Sequence, residues 1–304
     1  DNCKNFSCTI SKTLDLERII YMTRTLLSPK VDFVFKKIFG SEENKSVLIS
    51  FLNATLKPKK EIVSVDLKNT DIEKEYLKDK FSKLDVKATT SNKEIINIEI
   101  QLGDQYNMTQ RTLYYWSKMY EEQMEQSDNY RKLSRTVCIN ILNYNYLDND
   151  RLHNIYRLKE IETNEELTDI CEIHFIEIPK LRHLDLKDEA DMLEVWVEFL
   201  RDPESEVIRS IETINNDIKK AKDKLYKLSQ SKEDRELYFL REKSIRDEIS
   251  ALSKAKEEGI QTGAKNKELE IAKNAIKNNL DDNTIKAITG LSLEEIKQIR
   301  NNKI

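Results

Sequence analysis

Glycine and proline are scarce in this chain, five and four among 304 residues, which disfavours a loop-rich or repeat-turn architecture and favours long uninterrupted segments. The four cysteines, Cys3, Cys8, Cys138 and Cys171, have neither metal-ligand spacing nor an even framework. They read as reduced thiols of a cytoplasmic protein and not as a disulfide scaffold. Histidine is rarer still, and His153, His174 and His183 are scattered, which argues against a zinc site or a His-based triad. No apolar run approaches the ~18 to 20 residues a membrane-spanning helix needs, and no charged-then-apolar leader opens the chain. The expectation is a soluble, intracellular protein. An excess of one charge is missing too: 35% of residues are charged but the net charge is only -4, so any contact with nucleic acid must come from local patches. The chain starts at Asp1, not Met, and its first well-patterned segment begins soon after Met22, so residues 1–21 are expected to be an upstream extension of the natural start.

What is present is a pair of adjacent segments in strict alternation, KLDVKAT and INIEIQL. Leu84, Val86 and Ala88 form one face of the first, with Lys83, Asp85 and Lys87 on the other; in the second, Ile96, Ile98, Ile100 and Leu102 oppose Asn97, Glu99 and Gln101. Residues paired across an antiparallel ladder share a face, so the loop must hold an odd number of residues, and Ser91-Asn92-Lys93 is the natural three-residue turn. That register sets Asp85 opposite Glu99, two carboxylates about 5 Å apart at Cβ, which repel unless a proton or a cation lies between them. Hard oxygen donors beside a neutral amide suit magnesium, or manganese, ions that keep several waters and take one or two protein carboxylates.

Around the ribbon, Asp32 can cap a short helix carrying Phe33, Phe35, Lys36 and Phe39 and ending at Gly40; a second helix runs from Asn44 to Leu56, and Ile62–Leu67 alternates as a strand. After the ribbon come a long helix over about Tyr106–Tyr130 and a buried strand, Thr136–Leu142, so the order is helix, three strands, helix, strand. One more strand is expected over Ile170–Ile178. Between Pro203 and Gly259 there is neither Gly nor Pro, and Ile211, Ile214, Ile218, Ala221, Leu225 and Leu228 recur at spacings of three and four, the seam of a coiled coil or helical hairpin. Ser231 with Asp234 opens a second helix whose stripe is Leu237, Leu240, Ile249, Leu252 and Ala255. Such an arm suggests a homo-oligomer. Gly259 and Gly263 suggest a hinge, followed by three short helices over 268–279, 283–289 and 292–300 with a TGLS turn that suits a helix-turn-helix. Basic residues there exceed acidic ones only by eight to six, so DNA binding and an oligomerisation cap are equally compatible with the tail.

Four stretches, SPKVDFVFKKIFGSEENKSVLISFLNATL, LDVKATTSNKEIINIEIQL, QRTLYYWSKMYEEQ, and LYFLREKSIRDEISALSKAKEEGIQTG continuing into DDNTIKAITGLSLEEI, resemble the Rpn (recombination-promoting nuclease) and transposase-like branch of the PD-(D/E)XK nuclease superfamily. The resemblance implies an α/β fold: a restriction-endonuclease-like αβββαβ core followed by an all-helical C-terminal region. The expected organisation is the extension at 1–21, a nuclease-like domain over 22–185, a helical arm over 186–258, and the glycine hinge with its helix-turn-helix-like tail over 259–304. It also implies a magnesium-dependent DNA endonuclease associated with recombination or a mobile element. Asp85 and Glu99 would be ligands, with the Ile100 carbonyl as a third, Gln101 would orient the attacking water, and Asp32 would reach the site through water. The superfamily's lysine is here Gln101, as it is in this branch, and an amide can orient water but brings no charge. A relic that binds DNA or scaffolds without turnover is the competing reading, and a purely structural helical oligomer is the third. Lys36, Lys83 and Lys87 would meet the DNA backbone, surface solvation being the alternative. Arg111 would join them, while its neighbours Tyr114, Tyr115 and Trp116 either stack on bases or fill the core.

Overall fold

The computed structural model describes residues 25–68, 85–103, 107–182 and 191–301. The expected extension at 1–21, together with Cys3, Cys8, Lys83, Leu84 and His183, lies outside the described residues. Two helices open the fold, α1 (Asp32–Phe39) and α2 (Lys45–Leu56), followed by β1 (Val65–Leu67), β2 (Val86–Thr90) and β3 (Ile95–Gln101). Helix α3 (Met108–Glu121) leads to β4 (Thr136–Leu142), and β5 (His153–Lys159) and β6 (Glu166–Glu177) complete a six-stranded sheet of order β1-β2-β3-β4-β6-β5. The αβββαβ order expected from the sequence is present as α1, β1 to β3, α3 and β4. Strands β1 to β3 are antiparallel, whereas β3, β4 and β6 run parallel, and the first parallel step is bridged by α3.

The period-two pattern decides what each face of the sheet meets. Val86, Ala88, Ile96, Ile98, Ile100, Val137, Ile139 and Ile141 join the main core with α1, α2 and the later helices α4 (Met192–Arg201), α5 (Glu206–Ile211) and α6 (Asn216–Gln230). On the opposite face α3 packs Tyr115 and Met119 over Cys138, and Met108 over Leu142 and Phe175. Strand β3 is therefore covered on both sides, which is why its polar row, Asn97 and Glu99, is buried with its isoleucines. An aromatic cluster ties the helical layer together: Phe39 lies 4.5 Å from Phe35 and 5.5 Å from Trp196, whose ring is wholly buried. Gly40 ends α1 where a Cβ would stand 2.8 Å from the Lys36 carbonyl oxygen and 3.2 Å from Val86 Cγ2, so only a residue without a side chain lets α1 sit this close to β2.

Several elements differ from the sequence expectation for identifiable reasons. Strand β1 starts at Val65, not Ile62, because the Asn53 side chain takes both the N–H and the C=O of Ile62, each at 2.9 Å. Helix α3 stops at Glu121 and not near Tyr130: the Gln123 amide binds Ser134 and Thr136 and turns the chain back toward β4. Strand β5, an edge strand with Ile155, Tyr156 and Leu158 half exposed, and helix α4 escaped the pattern analysis. The stripe expected to form the seam of a hairpin is in fact core: Ile218, Ala221, Leu225 and Leu228 of α6 are buried with α1 and α2. Ile214 drops out of that stripe, 86% exposed, because Asn215 caps α6 and breaks the helix just after it.

The described residues form two compact units divided between Glu242 and Lys243. Helix α7 (Lys232–Lys277) opens as expected at Ser231, whose hydroxyl accepts the Asp234 N–H, but Gly259 and Gly263 lie inside it and mark no break in the helix. In the second unit, the end of α7 packs with α8 (Asp282–Thr289) and α9 (Leu293–Arg300) through Ala272, Ala275, Ile285, Leu291, Ile296 and Ile299. Gly290, at φ +75°, makes the left-handed turn, and Ser292 and Glu295 form a reciprocal cap on α9. Among the described residues no helix is long and apolar enough to cross a membrane.

The place of α6 in the core gives a direct expectation for stability. Leu225→Ala should cost about 2–5 kcal/mol, the usual range for emptying a leucine site, and Ile214→Ala under about 0.5 kcal/mol. Urea unfolding followed by circular dichroism reads both, and equal small effects would contradict the packing.

Candidate metal and nucleic-acid site

The ribbon turn is the three-residue loop expected from alternation: Thr90 and Glu94 close it with a 3.0 Å backbone bond and Lys93 takes the left-handed conformation at φ +65°. The register that follows pairs Lys87 with Asn97 and Val86 with Ile98, and one residue further it sets Asp85 against Glu99. Asp85 lies just before β2 and is partly buried; its Oδ2 accepts the Ile100 N–H at 2.8 Å. Glu99 is 2% exposed beneath α3, and its Oε1 accepts the Asn97 amide at 3.3 Å. Its Oε2 is buried without a hydrogen bond, and the nearest cation is Arg111 Nη2 at 3.4 Å. Gln101 ends β3 on the same face, partly exposed.

Electrostatics at this pair are unfavourable as they stand. Burial pushes the Asp85 carboxyl up to about 7, the charges of Glu99 and Asp32 push the same way, and the Ile100 N–H and Arg111 only partly oppose them. Burial also raises Glu99, against Arg111 and the Asn97 amide. A divalent cation fits this donor set: two hard carboxylates, both raised by burial, one with a buried oxygen that accepts no hydrogen bond. No cluster of three His, Cys, Asp or Glu side chains suited to a metal occurs among the described residues; the two carboxylates form a sparse shell of the kind magnesium completes with water.

The other residues singled out in the sequence fall differently. Asp32 does not cap α1: the N-cap is Val31, and Asp32 is the first helical residue, its Oδ1 accepting the Phe33 N–H at 2.7 Å while Oδ2 pairs with Arg241 at 2.5 Å. It is near enough for its charge to act on Asp85. Lys36 lies one turn on from Asp32, on the same side of α1. Lys87 is bound to Glu122 at 2.5 Å and braces the ribbon against the end of α3. Arg111 lies over the Tyr115 ring at 5.4 Å as well as beside Glu99. Tyr115 is core, Trp116 donates to the Thr136 carbonyl and stacks on Tyr120 at 4.9 Å, and Tyr114 remains 43% exposed.

Two supporting residues escaped the sequence reading. Asn97 was legible, standing two residues before Glu99 on the same face; Arg241 was not, because nothing local signals a partner 209 positions from Asp32. The histidines are less scattered than they seem in the sequence. Pairing of β5 with β6 brings His153 Nε2 to 2.8 Å from His174 Nδ1, and His174 meets Glu172 on its other side, also at 2.8 Å. Burial lowers both imidazoles, His153 to about 4, so this is a neutral structural pair at pH 7.

Residues 29–255 match the sequence family described as PD-(D/E)XK nuclease family transposase. The chain belongs to that family. Residues 265–301 match a second family, described as the Rpn/YhgA-like nuclease family, C-terminal HTH domain, and correspond to the end of α7 with α8 and α9. No curated protein and no solved structure matches the chain. The first match spans the sheet unit and runs on into α7, and the helix-turn-helix match lies within the C-terminal unit.

The Asp85 environment implies a measurable pH dependence. The fold holds the Asp85 proton more tightly than the unfolded chain does, so this group disfavours the folded state increasingly as pH rises from about 4 to about 7. Asp85→Asn should therefore raise the Tm at pH 8 by at least about 3 °C, the worth of ~2 kcal/mol in a chain of this size, and leave it unchanged near pH 4. Scanning calorimetry of the metal-free protein checks this, and a destabilised variant at pH 8 would contradict it.

Proposed function

We propose that this PD-(D/E)XK family member is a magnesium- or manganese-dependent DNA endonuclease that hydrolyses phosphodiester bonds. The observation that carries the reading is the buried Asp85–Glu99 pair, whose charge is left under-compensated and whose Glu99 Oε2 has no hydrogen bond. Asp85 and Glu99 would hold the ion, with the Ile100 carbonyl beside them and Asp32 reaching it through water. When bound, the ion lowers the pKa of water and neutralises charge gathering on the phosphate oxygens. Gln101 would orient the attacking water through its amide. The water oxygen bonds to phosphorus as the bond to one sugar oxygen breaks; the sugar oxygen takes a proton, and a phosphate monoester and a hydroxyl result. Lys36, Lys83, Lys87 and Arg111 would meet the substrate backbone, Lys87 by exchanging its present ion pair with Glu122.

The C-terminal unit would deliver the nuclease to duplex DNA. In this reading α9 is the reading helix, with Lys297, Gln298 and Arg300 on its exposed side, and the near-neutral charge of the unit makes base contacts matter more than backbone attraction. Leu237 and Leu240 lie exposed on α7 in the first unit and Ile249 and Leu252 in the second, and we assign self-association of the chain to this helix. A dimeric or larger mass in light scattering at micromolar concentration is expected, and a monomer removes this part. Gln101 also supports a second reading, a DNA-binding scaffold descended from a nuclease whose turnover has been lost with the lysine charge.

Cleavage of supercoiled plasmid decides between them. The parent should nick or linearise DNA with magnesium or manganese and not with chelator. Asp85→Ala and Glu99→Ala should lose at least about 100-fold of that rate while remaining folded, as expected for removal of a group that stabilises the transition state or holds the metal that does so. Variants that cut as fast as the parent would sink the assignment; a parent that binds DNA and never cuts it favours the scaffold.

A further inference from the structure

A helix that enters DNA usually brings positive charge with it, and α9 brings little. Its side chains divide by what already holds them. Ile296 and Ile299 are buried in the small core with Ile285 and Leu291. Ser292 and Glu295 are engaged in the reciprocal cap. Arg300, although exposed, donates to Asp282 Oδ1 at 2.7 Å and to the Leu280 carbonyl at 3.0 Å. What remains is one arc of the helix: Leu293, Glu294, Lys297 and Gln298, all exposed. Among the described residues the polar side chains of that arc make no hydrogen bond or ion pair, and Glu294 and Lys297 do not pair with each other although three residues apart.

We propose, on the reading of the C-terminal unit as a DNA-binding helix-turn-helix, that Glu294 reads a cytosine in the major groove and sets the sequence preference of α9. The residue stands in the first turn of the second helix of the matched motif, the part of a recognition helix that meets base edges. Gln298 is one turn further along the same face.

The choice of base follows from donor and acceptor chemistry. A carboxylate only accepts hydrogen bonds. In the major groove guanine shows acceptors, thymine an acceptor and a methyl group, and adenine a donor beside an acceptor; cytosine alone shows a donor with no acceptor next to it. Glu294 is therefore satisfied by the cytosine N4 amino group and repelled by guanine and thymine oxygens and by every phosphate. Its neighbours are complementary to other edges, Gln298 to adenine and Lys297 to guanine or a phosphate. A carboxylate in this arc lowers affinity for duplex DNA in general and is compensated only where a cytosine lies beneath it, so it selects by rejecting other sequences. The alternative role of Glu294, a negative charge favouring the start of α9, concerns stability and has no effect on base preference.

The test uses full-length parent, Glu294→Ala and Glu294→Gln, with chelator present so that DNA stays intact. Each selects sites from a random duplex library, and fluorescence anisotropy then reads affinity for the duplex the parent selects. The parent should enrich a cytosine at one fixed position. Exchanging that base pair should weaken parent binding by about tenfold, the scale of one lost base contact. N4-methylcytosine, which still pairs with guanine but puts a methyl group where the free N–H stood, should do the same. Glu294→Ala should bind all these duplexes within about twofold of one another. It should also bind unrelated duplex more tightly than the parent, by roughly threefold or more, because a charge that phosphates repel has gone. Glu294→Gln should move the preference at that position to adenine, the base an amide matches. A cytosine preference that survives in Glu294→Ala overturns the proposal, as does equal weakening of that variant on every duplex together with a lower Tm. A parent that binds all duplexes alike overturns it too, and in each of these cases DNA binding by the chain still stands. A parent that binds no duplex ends both the DNA-binding reading and the assignment of Glu294.

Discussion

Asp85 and Glu99 are brought together by backbone register, and nothing in that register supplies the positive charge they need. The two-sided cover of β3 turns a solvated polar row into a buried one, so a pattern that on an exposed hairpin would be ordinary becomes electrostatically expensive. Everything nearby is arranged around that cost. The Ile100 N–H and the Asn97 amide each donate to one carboxylate, Arg111 approaches Glu99 from α3, and Arg241 balances Asp32. The cover supplies the rigidity in return: α1 packs on β3, and α2, α4 and α6 complete the core that its isoleucines join. A site of this kind sacrifices stability for preorganisation, which the raised Asp85 carboxyl expresses directly.

How much of this the sequence revealed depends on whether the signal was local. The ribbon, its three-residue loop and the face shared by Asp85, Glu99 and Gln101 follow from a period of two and the parity of the turn, and these set the register. The TGLS turn follows from the need for a left-handed residue at Gly290, and the cap at Ser292 from its reciprocal partner Glu295. The stripe Ile218–Leu228 was equally visible, yet its destination was not. An apolar row at spacings of three and four fits a coiled-coil seam and a core helix alike, and only the partner surface, here α1 and α2, distinguishes them. Helix α4 was legible as well: Glu194, Glu198 and Arg201 fall at spacings of four and three against Leu193, Trp196, Val197 and Leu200, a helical period that was passed over.

Side-chain roles divided along the same line. The sequence could place Asp32 at the start of a helix, where capping was the economical reading; the structure shifts the cap to Val31 and leaves Asp32 to an ion pair formed by chain folding alone. Asn97 stood in plain alternation with Glu99 and needed only to be read as its support. Lys87 looked like a phosphate ligand because its face was right, but a face says nothing of Glu122 arriving from α3.

Gly40 shows how finely the acidic site is tied to packing that has no chemistry of its own. The gap between α1 and β2 is set by a missing methyl group, with the Lys36 carbonyl oxygen and Val86 both within 3.2 Å of where it would stand. Asp32 rides at one end of that helix, and Asp85 precedes Val86 on that strand. Widening the seam would therefore slide one acid relative to the other without touching either, making the spacing of the acids a property of the smallest residue in their neighbourhood.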